Sequence, residues 1–266
     1  MSNDYKILTH FIKNCLLSAI PEIISNCQSG FQAGRSTTDN LVLMYLVLEH
    51  FANNPEDTGF LLQADFEKAF DSVEHIFLFE TLASLGFGSY LINLVKLVYH
   101  GSYSYALVNG HLTNPIYLER GLHQGSPLSP VLFLIVAQVF TNNLQNNANI
   151  SGIDINSCSL LLSLFADDTD MFLTASKETI DAVIEELNRF GRCAGCVYNV
   201  NKTKCIPLGA TAQNTALLEE LKRTYGHNFI PPDTQFSALG IKFNTSANLK
   251  NLVDSVYQKN SIKSQD

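Results

Sequence analysis

The sequence has no long hydrophobic run and no recognisable leader. No apolar stretch in its 266 residues approaches the roughly 20 residues that a helix needs to cross a bilayer, so we predict no membrane span. The first six residues, Met1 to Lys6, lack the basic and apolar regions of a signal peptide. These absences exclude the membrane-embedded classes and predict an intracellular protein, in the cytoplasm or the nucleus.

Charged residues are scarce, and positive charge is scarcer than negative charge. Charged residues make up 16% of the sequence and hydrophobic residues 46%, a composition typical of a folded globular protein. The 17 Lys and Arg residues are outnumbered by 25 Asp and Glu residues, which gives a formal net charge of −8. Because proteins that bind nucleic acids usually carry a basic face, this balance argues against such a partner.

Metal-binding cysteine patterns are also missing. Cys193 and Cys196 have the spacing of half a zinc site, but no second half follows and no histidine lies close by in the sequence. The six cysteines are otherwise scattered, as in proteins of a reducing compartment. We therefore expect no structural zinc.

Two adjacent carboxylates, Asp167 and Asp168, stand inside an apolar stretch. The residues from Cys158 to Phe165 and from Met171 to Leu173 are typical of buried strands, so the pair falls at a hairpin turn. Two carboxylates about 4 Å apart repel by roughly 4 kcal/mol at an effective dielectric constant of about 20. A chain keeps such a pair near its core when a multivalent cation binds there or when one carboxyl is protonated. The alternative is a polar turn that ends an ordinary hairpin.

A third carboxylate, Asp65, ends the predicted buried strand that begins at Phe60. Open sheets commonly place ligand groups at such strand ends, although Asp65 could also be an ordinary turn residue. The order of elements from Phe60 onward predicts an α+β fold, with an antiparallel sheet packed on helices. If Asp65 and the Asp167–Asp168 turn lie on neighbouring strands, the three carboxylates can hold two divalent cations about 3.5–4 Å apart for phosphoryl transfer. Magnesium suits such oxygen ligands.

Apolar periodicity predicts the helices, and capping residues predict where some of them begin. Thr38 or Asp39 is expected to cap the second helix, Ser72 the third and Ser176 the sixth. The loop from Gly191 to Gly195 is expected to follow the sixth helix. The predicted helices are 5–26 with a break at Pro21, Asn40–Ala52, Val73–Leu85, Ser89–Tyr99, Val131–Gln145, Lys177–Phe190 and Asn214–Tyr225.

Two glycine-containing loops are candidate anion sites. The loop from Ser29 to Asn40 carries Arg35, which is either a phosphate ligand or a solvated side chain. It is not a P-loop, because the Gly-Lys-Ser/Thr ending is absent. The loop from Arg120 to Pro130 leads into a predicted buried helix and presents backbone amides, although this could equally be a plain helix start. Asn109-Gly110 predicts a hairpin between the two loops.

Six segments, in order, resemble motifs of the reverse transcriptases of non-LTR (LINE-type) retrotransposons. They are the fingers-to-palm motif at 29–40, motif A at 64–73, motif B at 121–130, motif C at 165–168, motif D at 199–203 and the primer grip at 239–241. A group II intron maturase is a weaker match, since its motif B usually reads differently.

The resemblance implies a right-hand polymerase fold with an antiparallel palm sheet packed on helices. Residues 1–58 would be partial fingers, and residues 59–245 the palm with embedded fingers elements. Residues 246–266 would be a truncated tail toward an absent thumb.

The resemblance also implies a set of metal ligands. Asp65 and Asp167 would bind two Mg²⁺ ions, with Mn²⁺ as an alternative, and Asp168 would support them. The backbone carbonyl of Phe66 would add a ligand, and Lys202 would approach the leaving phosphate.

The implied substrates are an RNA template, a DNA primer and deoxynucleoside triphosphates. Phe70 would be the steric gate, whose ring fills the place of a ribose 2′-hydroxyl. Gln124 and Gly125 would lie against the nascent base pair and the template, and Arg35 would contact the template or the triphosphate.

The chain departs from the family pattern at several points. Ala33 replaces a usual Pro, His123 a common Arg, and Asp170 an apolar residue of the motif C strand. A basic segment that normally precedes Asp4 is missing, as are the thumb and endonuclease of a longer polyprotein. A second hypothesis is therefore an inactive scaffold, or decayed remnant, that keeps the fold and binds RNA or protein. The intact carboxylates favour the polymerase, and the acidic balance favours the scaffold.

Overall fold

A computed structural model describes residues 3–226, 228–231 and 234–245. The chain divides into two compact units. The first contains Met1–Asn26, Phe66–Asn143 and Glu186–Tyr198, and the second contains Cys27–Asp65, Leu144–Glu185 and Asn199–Asp266. The predicted tail at 246–266 lies outside the described residues.

The helices follow the predicted order. They are α1 (Asn3–Leu17), α2 (Ile20–Ile23), α3 (Thr37–Asn53), α4 (Ala69–Ser72), α5 (His75–Ser84), α6 (Ser89–Tyr99), α7 (Ser129–Asn146), α8 (Lys177–Ala194) and α9 (Thr215–Tyr225), with a 3₁₀ turn at Ala210–Gln213. Within the described ranges, none of these helices has the length and apolarity needed to cross a membrane.

The strands vary from two to seven residues in length. They are β1 (Thr58–Ala64), β2 (Tyr103–Ser104), β3 (Leu107–Val108), β4 (His111–Leu112), β5 (Ile116–Tyr117), β6 (Ile153–Ile155), β7 (Cys158–Leu160), β8 (Leu162–Phe165), β9 (Asp168–Leu173), β10 (Lys204–Gly209), β11 (Asn228–Phe229), β12 (Gln235–Ala238) and β13 (Ile241–Asn244). The hairpin predicted at Asn109-Gly110 is confirmed, since both residues have positive φ and β3 pairs with β4.

A five-stranded sheet in the order β11-β10-β1-β9-β8 organises the second unit. Its neighbours pair antiparallel, apart from β10 and β11, which are parallel. The prediction of an antiparallel sheet is therefore confirmed. The central strand β1 is buried along most of its length, which explains its nearly continuous apolar sequence.

Helix α3 packs on one face of this sheet and forms the core of the second unit. Its buried side chains meet alternate residues of three adjacent strands, Leu61, Phe172 and Ile206. Each of the three is completely buried, and alternation along a strand places every second side chain on this face. The N-cap is Ser36, two residues before Thr38 and three before Asp39, and Asp39 completes a capping box with it.

The first unit is largely helical, and α7 is its most buried helix. The prediction that this helix is buried is confirmed for its first half, since residues 131–138 are all buried. The predicted helix cap at Ser72 is wrong. The Ser72 hydroxyl instead donates to the Glu67 carbonyl at 3.0 Å. The reason is that a separate short turn, α4, ends at Ser72, and α5 starts only at His75.

Two further helix boundaries differ from prediction. The predicted break in the first helix is present but falls at residues 18–19, between α1 and α2. Pro21 lies just after it, in the first turn of α2, where its missing N–H is harmless. The expected loop at 191–195 is instead the last turn of α8. Gly191 allows this turn, because a Cβ there would lie 2.8 Å from the Cys196 carbonyl oxygen. Gly195, at φ +79°, then ends the helix. The predicted cap at Ser176 is confirmed by its acceptance of the Thr179 N–H at 3.1 Å.

Candidate active site

Asp65, Asp167 and Asp168 lie at the same end of two neighbouring strands of the five-stranded sheet. Asp65 follows the last residue of β1, and Asp168 opens β9, the strand that pairs with β1. Asp167 lies in the turn between β8 and β9. In the register, Ala64 opposes Thr169, so the carboxylates lie on neighbouring strands as the hypothesis required.

Two of these carboxylates, those of Asp167 and Asp65, act electrostatically on the third, Asp168. The pKa of Asp168 is raised above its ordinary value, first by partial burial and then by the charges of Asp167 and Asp65. The nearby ammonium group of Lys204 opposes this shift. Like charges that interact at a partly buried site favour either a shared proton or a bound cation.

A loop of the second unit braces the turn that carries Asp167. The Gln28 side-chain oxygen accepts the backbone N–H groups of Ala166 at 3.0 Å and Gly30 at 2.8 Å, and Gln28 Nε2 donates to the Ala166 carbonyl at 3.2 Å. Ala166 has φ +58°, so its backbone needs such support. Gly30 is required for the close approach, because a Cβ there would lie 2.3 Å from the Ala166 nitrogen. Sequence reasoning missed this brace, although Gln28 immediately precedes the fingers-to-palm motif and Gly30 lies within it.

Asp65 faces a lysine, and one of its oxygens is incompletely satisfied. Lys202 Nζ lies 3.7 Å from Asp65 Oδ2, so the structure brings these two predicted site residues together. Within the described ranges, this buried oxygen accepts no hydrogen bond. The side chain of Asn199 sets the lysine's turn by accepting the backbone N–H groups of Asn201 and Lys202, both at 3.1 Å.

A second polar pair lies two residues away from Asp65 on β1 and from Asp168 on β9, toward the middle of these strands. Gln63 opposes Asp170 across β1 and β9, and Gln63 Nε2 donates to Asp170 Oδ1 at 2.8 Å. Burial raises the pKa of Asp170 to about 6, an effect that the Gln63 hydrogen bond partly offsets and the charge of Asp168 increases. The side-chain oxygen of Gln63, Oε1, is buried and accepts no hydrogen bond from the described part of the chain.

A cavity of about 110 Å³ joins these groups. It is lined by Gln63, Ala64, Asp65, Asp168, Thr169, Asp170, Lys202, Lys204, Ser237, Ala238 and Leu239. Oxygen ligands and an unsatisfied buried carboxylate oxygen are the donor chemistry that Mg²⁺ prefers, so the residues fit this ion. Among the described residues, however, no three His, Cys, Asp or Glu side chains form a ready-made metal cluster.

Phe70, Gln124 and Gly125 line a different cavity, of about 640 Å³, within the first unit. The ring of Phe70 stacks on Phe133 with centroids 4.3 Å apart, which holds it in one orientation. Gln124 Nε2 donates to both carboxylate oxygens of Asp71, at 2.8 and 3.1 Å. The sequence therefore selected residues that share one cavity, but it missed two cavity-lining groups of α1, Lys6 and His10.

The motif B loop is supported by aromatic contacts where the family commonly has an arginine. The His123 ring stacks on Tyr99 at 4.6 Å and is hydrogen bonded through Nδ1 to the Tyr5 hydroxyl. Burial, and then the charge of His75, lower the pKa of His123, so the neutral imidazole is favoured. His123 thus supports the loop by packing.

The remaining two predicted residues have clear structural partners. The Phe66 ring packs edge-on against Phe140 and Phe190, with both centroid distances 5.6 Å, so its side chain belongs to the core of the first unit. Arg35 Nη1 donates to the Gln28 carbonyl at 2.6 Å, which links it to the loop that braces the Ala166 turn. These contacts leave the predicted role of the Phe66 carbonyl untested.

Comparison with known proteins identifies the class. The sequence profile of the family described as "Reverse transcriptase (RNA-dependent DNA polymerase)" matches residues 1–243. The chain therefore belongs to the reverse transcriptase family. The solved structure of apo telomerase from Candida tropicalis, truncated from its C-terminal domain, has a similar fold, with a TM-score of 0.58 and 13% identity over 90% of this chain and 44% of that one.

The curated relatives specify the branch of the family. The transposon TX1 149 kDa protein of Xenopus laevis is 33% identical over 63% of this chain and 13% of its own length. The Pol polyprotein of element R2DM from Drosophila melanogaster is 25% identical over 84% and 21%. The polymerase of the mobile element jockey from Drosophila funebris is 27% identical over 75% and 22%. The predicted LINE-type resemblance is confirmed, and the chain spans less than a quarter of these relatives.

Proposed function

We propose that this chain is the core of an RNA-directed DNA polymerase from a retrotransposon, which adds deoxynucleotides to a primer 3′-hydroxyl. The observation that carries the proposal is the placement of Asp65, Asp167 and Asp168 at the ends of adjacent strands in a reverse transcriptase chain, where burial and then the charges of Asp167 and Asp65 raise the pKa of Asp168. Such a group suits phosphoryl transfer assisted by two metal ions.

The carboxylates would hold two Mg²⁺ ions, or Mn²⁺ in their place. Bound there, the metal supplies Lewis-acid activation of the 3′-hydroxyl and charge stabilisation of the triphosphate and leaving pyrophosphate. Asp65 and Asp167 act as the principal ligands, and Asp168 supports them. The unsatisfied Oδ2 of Asp65 is the oxygen best suited to a new ligand bond.

Lys202 would neutralise the leaving phosphate. Its ammonium group now lies 3.7 Å from Asp65 Oδ2, which gives it a counter-ion within the site. We propose that Lys202 exchanges this carboxylate for pyrophosphate oxygens as the product forms. Its 65% exposed side chain has the freedom for such a movement.

Residues of the first unit would select the nucleotide. The ring of Phe70, held by its stack on Phe133, excludes a ribose 2′-hydroxyl. Gln124 and Gly125 contact the nascent base pair and the template. Arg35, which belongs to the second unit, contacts the template or the triphosphate. The Phe66 carbonyl remains a proposed additional metal ligand.

The proposed partners are an RNA template, a DNA primer and the remainder of a longer polyprotein. The small share of each relative that the chain spans supports the last of these. A thumb and an endonuclease are the segments that the family would add. The proposed location is intracellular, in the cytoplasm or nucleus.

A catalytically inactive scaffold is the second candidate. Two observations favour it, the net charge of −8 and the lack of a ready-made three-ligand cluster among the described residues. Binding of RNA or protein by such a scaffold would not depend on Asp65, Asp167 or Asp168.

Primer extension distinguishes the two functions. The chain is incubated with a primed RNA template, Mg²⁺ and deoxynucleotides, beside the double variant Asp167→Ala, Asp168→Ala. Extension that the double variant loses supports the polymerase. RNA binding that both proteins share, without extension by either, supports the scaffold, and circular dichroism checks that both are folded.

A further inference from the structure

Asp170 is a third carboxylate at the cavity of about 110 Å³, beside Asp65 and Asp168, and the family pattern does not account for it. It stands on β9 where an apolar residue is usual, yet it is only 8% exposed. A buried carboxylate at such a position is costly unless something compensates for it. Its geometry suggests what the compensation is.

The side chain of Asp170 points to the same face of the sheet as the proposed metal ligands. It lies two residues after Asp168 on β9, and its partner Gln63 lies two residues before Asp65 on β1. Side chains two apart on a strand share a face. The facing pair Gln63–Asp170 therefore forms a rung, meaning one pair of facing residues on adjacent strands, next to Asp65 and Asp168 on that face. The 2.8 Å hydrogen bond from Gln63 fixes the Asp170 carboxylate in that rung.

The charge balance of the cavity depends on Asp170. Three carboxylates line it, those of Asp65, Asp168 and Asp170. Two ammonium groups, those of Lys202 and Lys204, face them. The lining therefore carries one net negative charge when all five groups are ionised, and it would carry none without Asp170.

We propose that Asp170 is a positioning residue that strengthens divalent-cation binding from outside the ligand sphere, with Gln63 as its anchor. The inference rests on the proposed metal role of Asp65, Asp167 and Asp168. A cavity of about 110 Å³ has room for a few water molecules, since each needs roughly 10–15 Å³ of such volume. Magnesium usually keeps several of its waters in proteins, and a carboxylate that accepts hydrogen bonds from them stabilises the bound ion.

The test is a titration with Mn²⁺ alone, followed by electron paramagnetic resonance of the unbound ion at pH 8. Asp170→Asn keeps the size of the side chain and an oxygen that can accept the Gln63 N–H, but removes the charge. Loss of an outer carboxylate typically weakens a metal site about 10- to 100-fold, so we expect at least about tenfold weaker binding. The double variant Gln63→Glu, Asp170→Asn returns a negative charge to the same rung and should recover most of the affinity.

Two control variants separate the possible failures. Asp154→Asn removes an exposed carboxylate of the same unit and should leave the affinity unchanged. Asp65→Asn removes a proposed ligand and should abolish the binding. If Asp170→Asn binds Mn²⁺ as the wild type does while Asp65→Asn fails to bind, the role of Asp170 is refuted and the metal site stands. If the wild type shows no binding that depends on Asp65, both the metal site and the inference are refuted.

A second readout checks that the effect is not a loss of structure. Thermal unfolding in EDTA should show Asp170→Asn to be folded and at least as stable as the wild type. If a reduced affinity coincides with a lower unfolding temperature and is not restored by Gln63→Glu, the role of Asp170 is structural and the proposal is wrong.

Discussion

The two ends of the five-stranded sheet use the same strands and the same face for opposite purposes. At one end, Leu61, Phe172 and Ile206 are completely buried under α3. At the other end, Gln63 and Asp170 form a polar rung. Beyond that rung, the carboxylates of Asp65 and Asp168 repel one another. The comparison shows that the apolar end provides the free energy that holds the strands in register, and the register then holds together charges that would otherwise separate.

The largest effect is expected from a cavity at the apolar end. Phe172→Ala removes a fully buried ring from the centre of this core. Such truncations cost about 3–5 kcal/mol, because transfer and cavity penalties add. Urea unfolding should show this loss, whereas the control Val42→Ala, at a 47% exposed site on α3, should stay within about 0.5 kcal/mol. Equal losses in both variants would contradict the division between the two ends.

The second-largest effect is expected at the polar end of the sheet, and it should be a gain in stability and not a loss. Because the pKa of Asp170 is raised to about 6, the folded state binds a proton more tightly than the unfolded state does. Ionisation of Asp170 therefore lowers the free energy of unfolding as the pH rises from about 4 to 6. The loss reaches up to about 3 kcal/mol and remains at higher pH. Asp170→Asn should thus stabilise the metal-free protein at pH 8 and change little at pH 4.

Chemical denaturation in EDTA at several pH values checks this expectation. The gain should appear between pH 4 and pH 6 and then level off. The exposed residue Asp154 provides the control, since its Asn variant should show no such pH dependence. A gain that is the same at pH 4 and pH 8 would mean that packing, and not charge, is responsible.

A smaller loss is expected from the loop that braces the turn. Gly30→Ala places a methyl group 2.3 Å from the Ala166 nitrogen, so the loop or the turn must shift. Overpacking of this kind costs typically 1–3 kcal/mol, and we expect about 2 kcal/mol. The variant should also bind Mn²⁺ more weakly, because Asp167 follows the displaced residue. Unchanged stability together with unchanged Mn²⁺ affinity would show that the brace does not control the turn.

The smallest effect should come from the cap of the helix that covers the apolar end. Ser36→Ala removes the side-chain oxygen that accepts the Thr38 N–H at 3.0 Å and should cost about 1 kcal/mol. Ser36→Thr keeps an acceptor and should recover most of this loss. Urea unfolding of the three proteins measures the difference, and a Thr variant no better than the Ala variant would contradict the assigned cap.

Several parts of the site could be predicted because they depend only on the pattern of neighbouring residues. The apolar residues on both sides of Asp167 and Asp168 predict two strands and a turn, and the structure has them. The apolar run that ends at Asp65 predicts a buried strand for the same reason. Helix caps were less predictable, since Ser72 and Ser36 both resemble N-caps and only the path of the backbone decides between them.

Contacts between distant segments could not be predicted in this way. Gln28 lies 138 residues from Ala166 in the sequence. The residues around Gln28 give no indication that its side chain accepts the Ala166 N–H. Lys6 and His10 were read only as parts of a helix, yet they line the cavity that contains Phe70 and Gln124. The packing of α1 within the first unit, and not its own periodicity, brings them there.

The sequence by itself determined the family, the order of the elements and the three carboxylates, because apolar runs and strand-end charges are properties of neighbouring residues. Only the tertiary structure decided that Asp170 meets Gln63 from 107 positions away, that a lysine faces Asp65 and that Gly30 touches the Ala166 turn. The physical reason is that a period of two assigns each strand residue to a face, whereas the register between strands assigns its partner. That register is set by the packing of the whole core and not by any one segment.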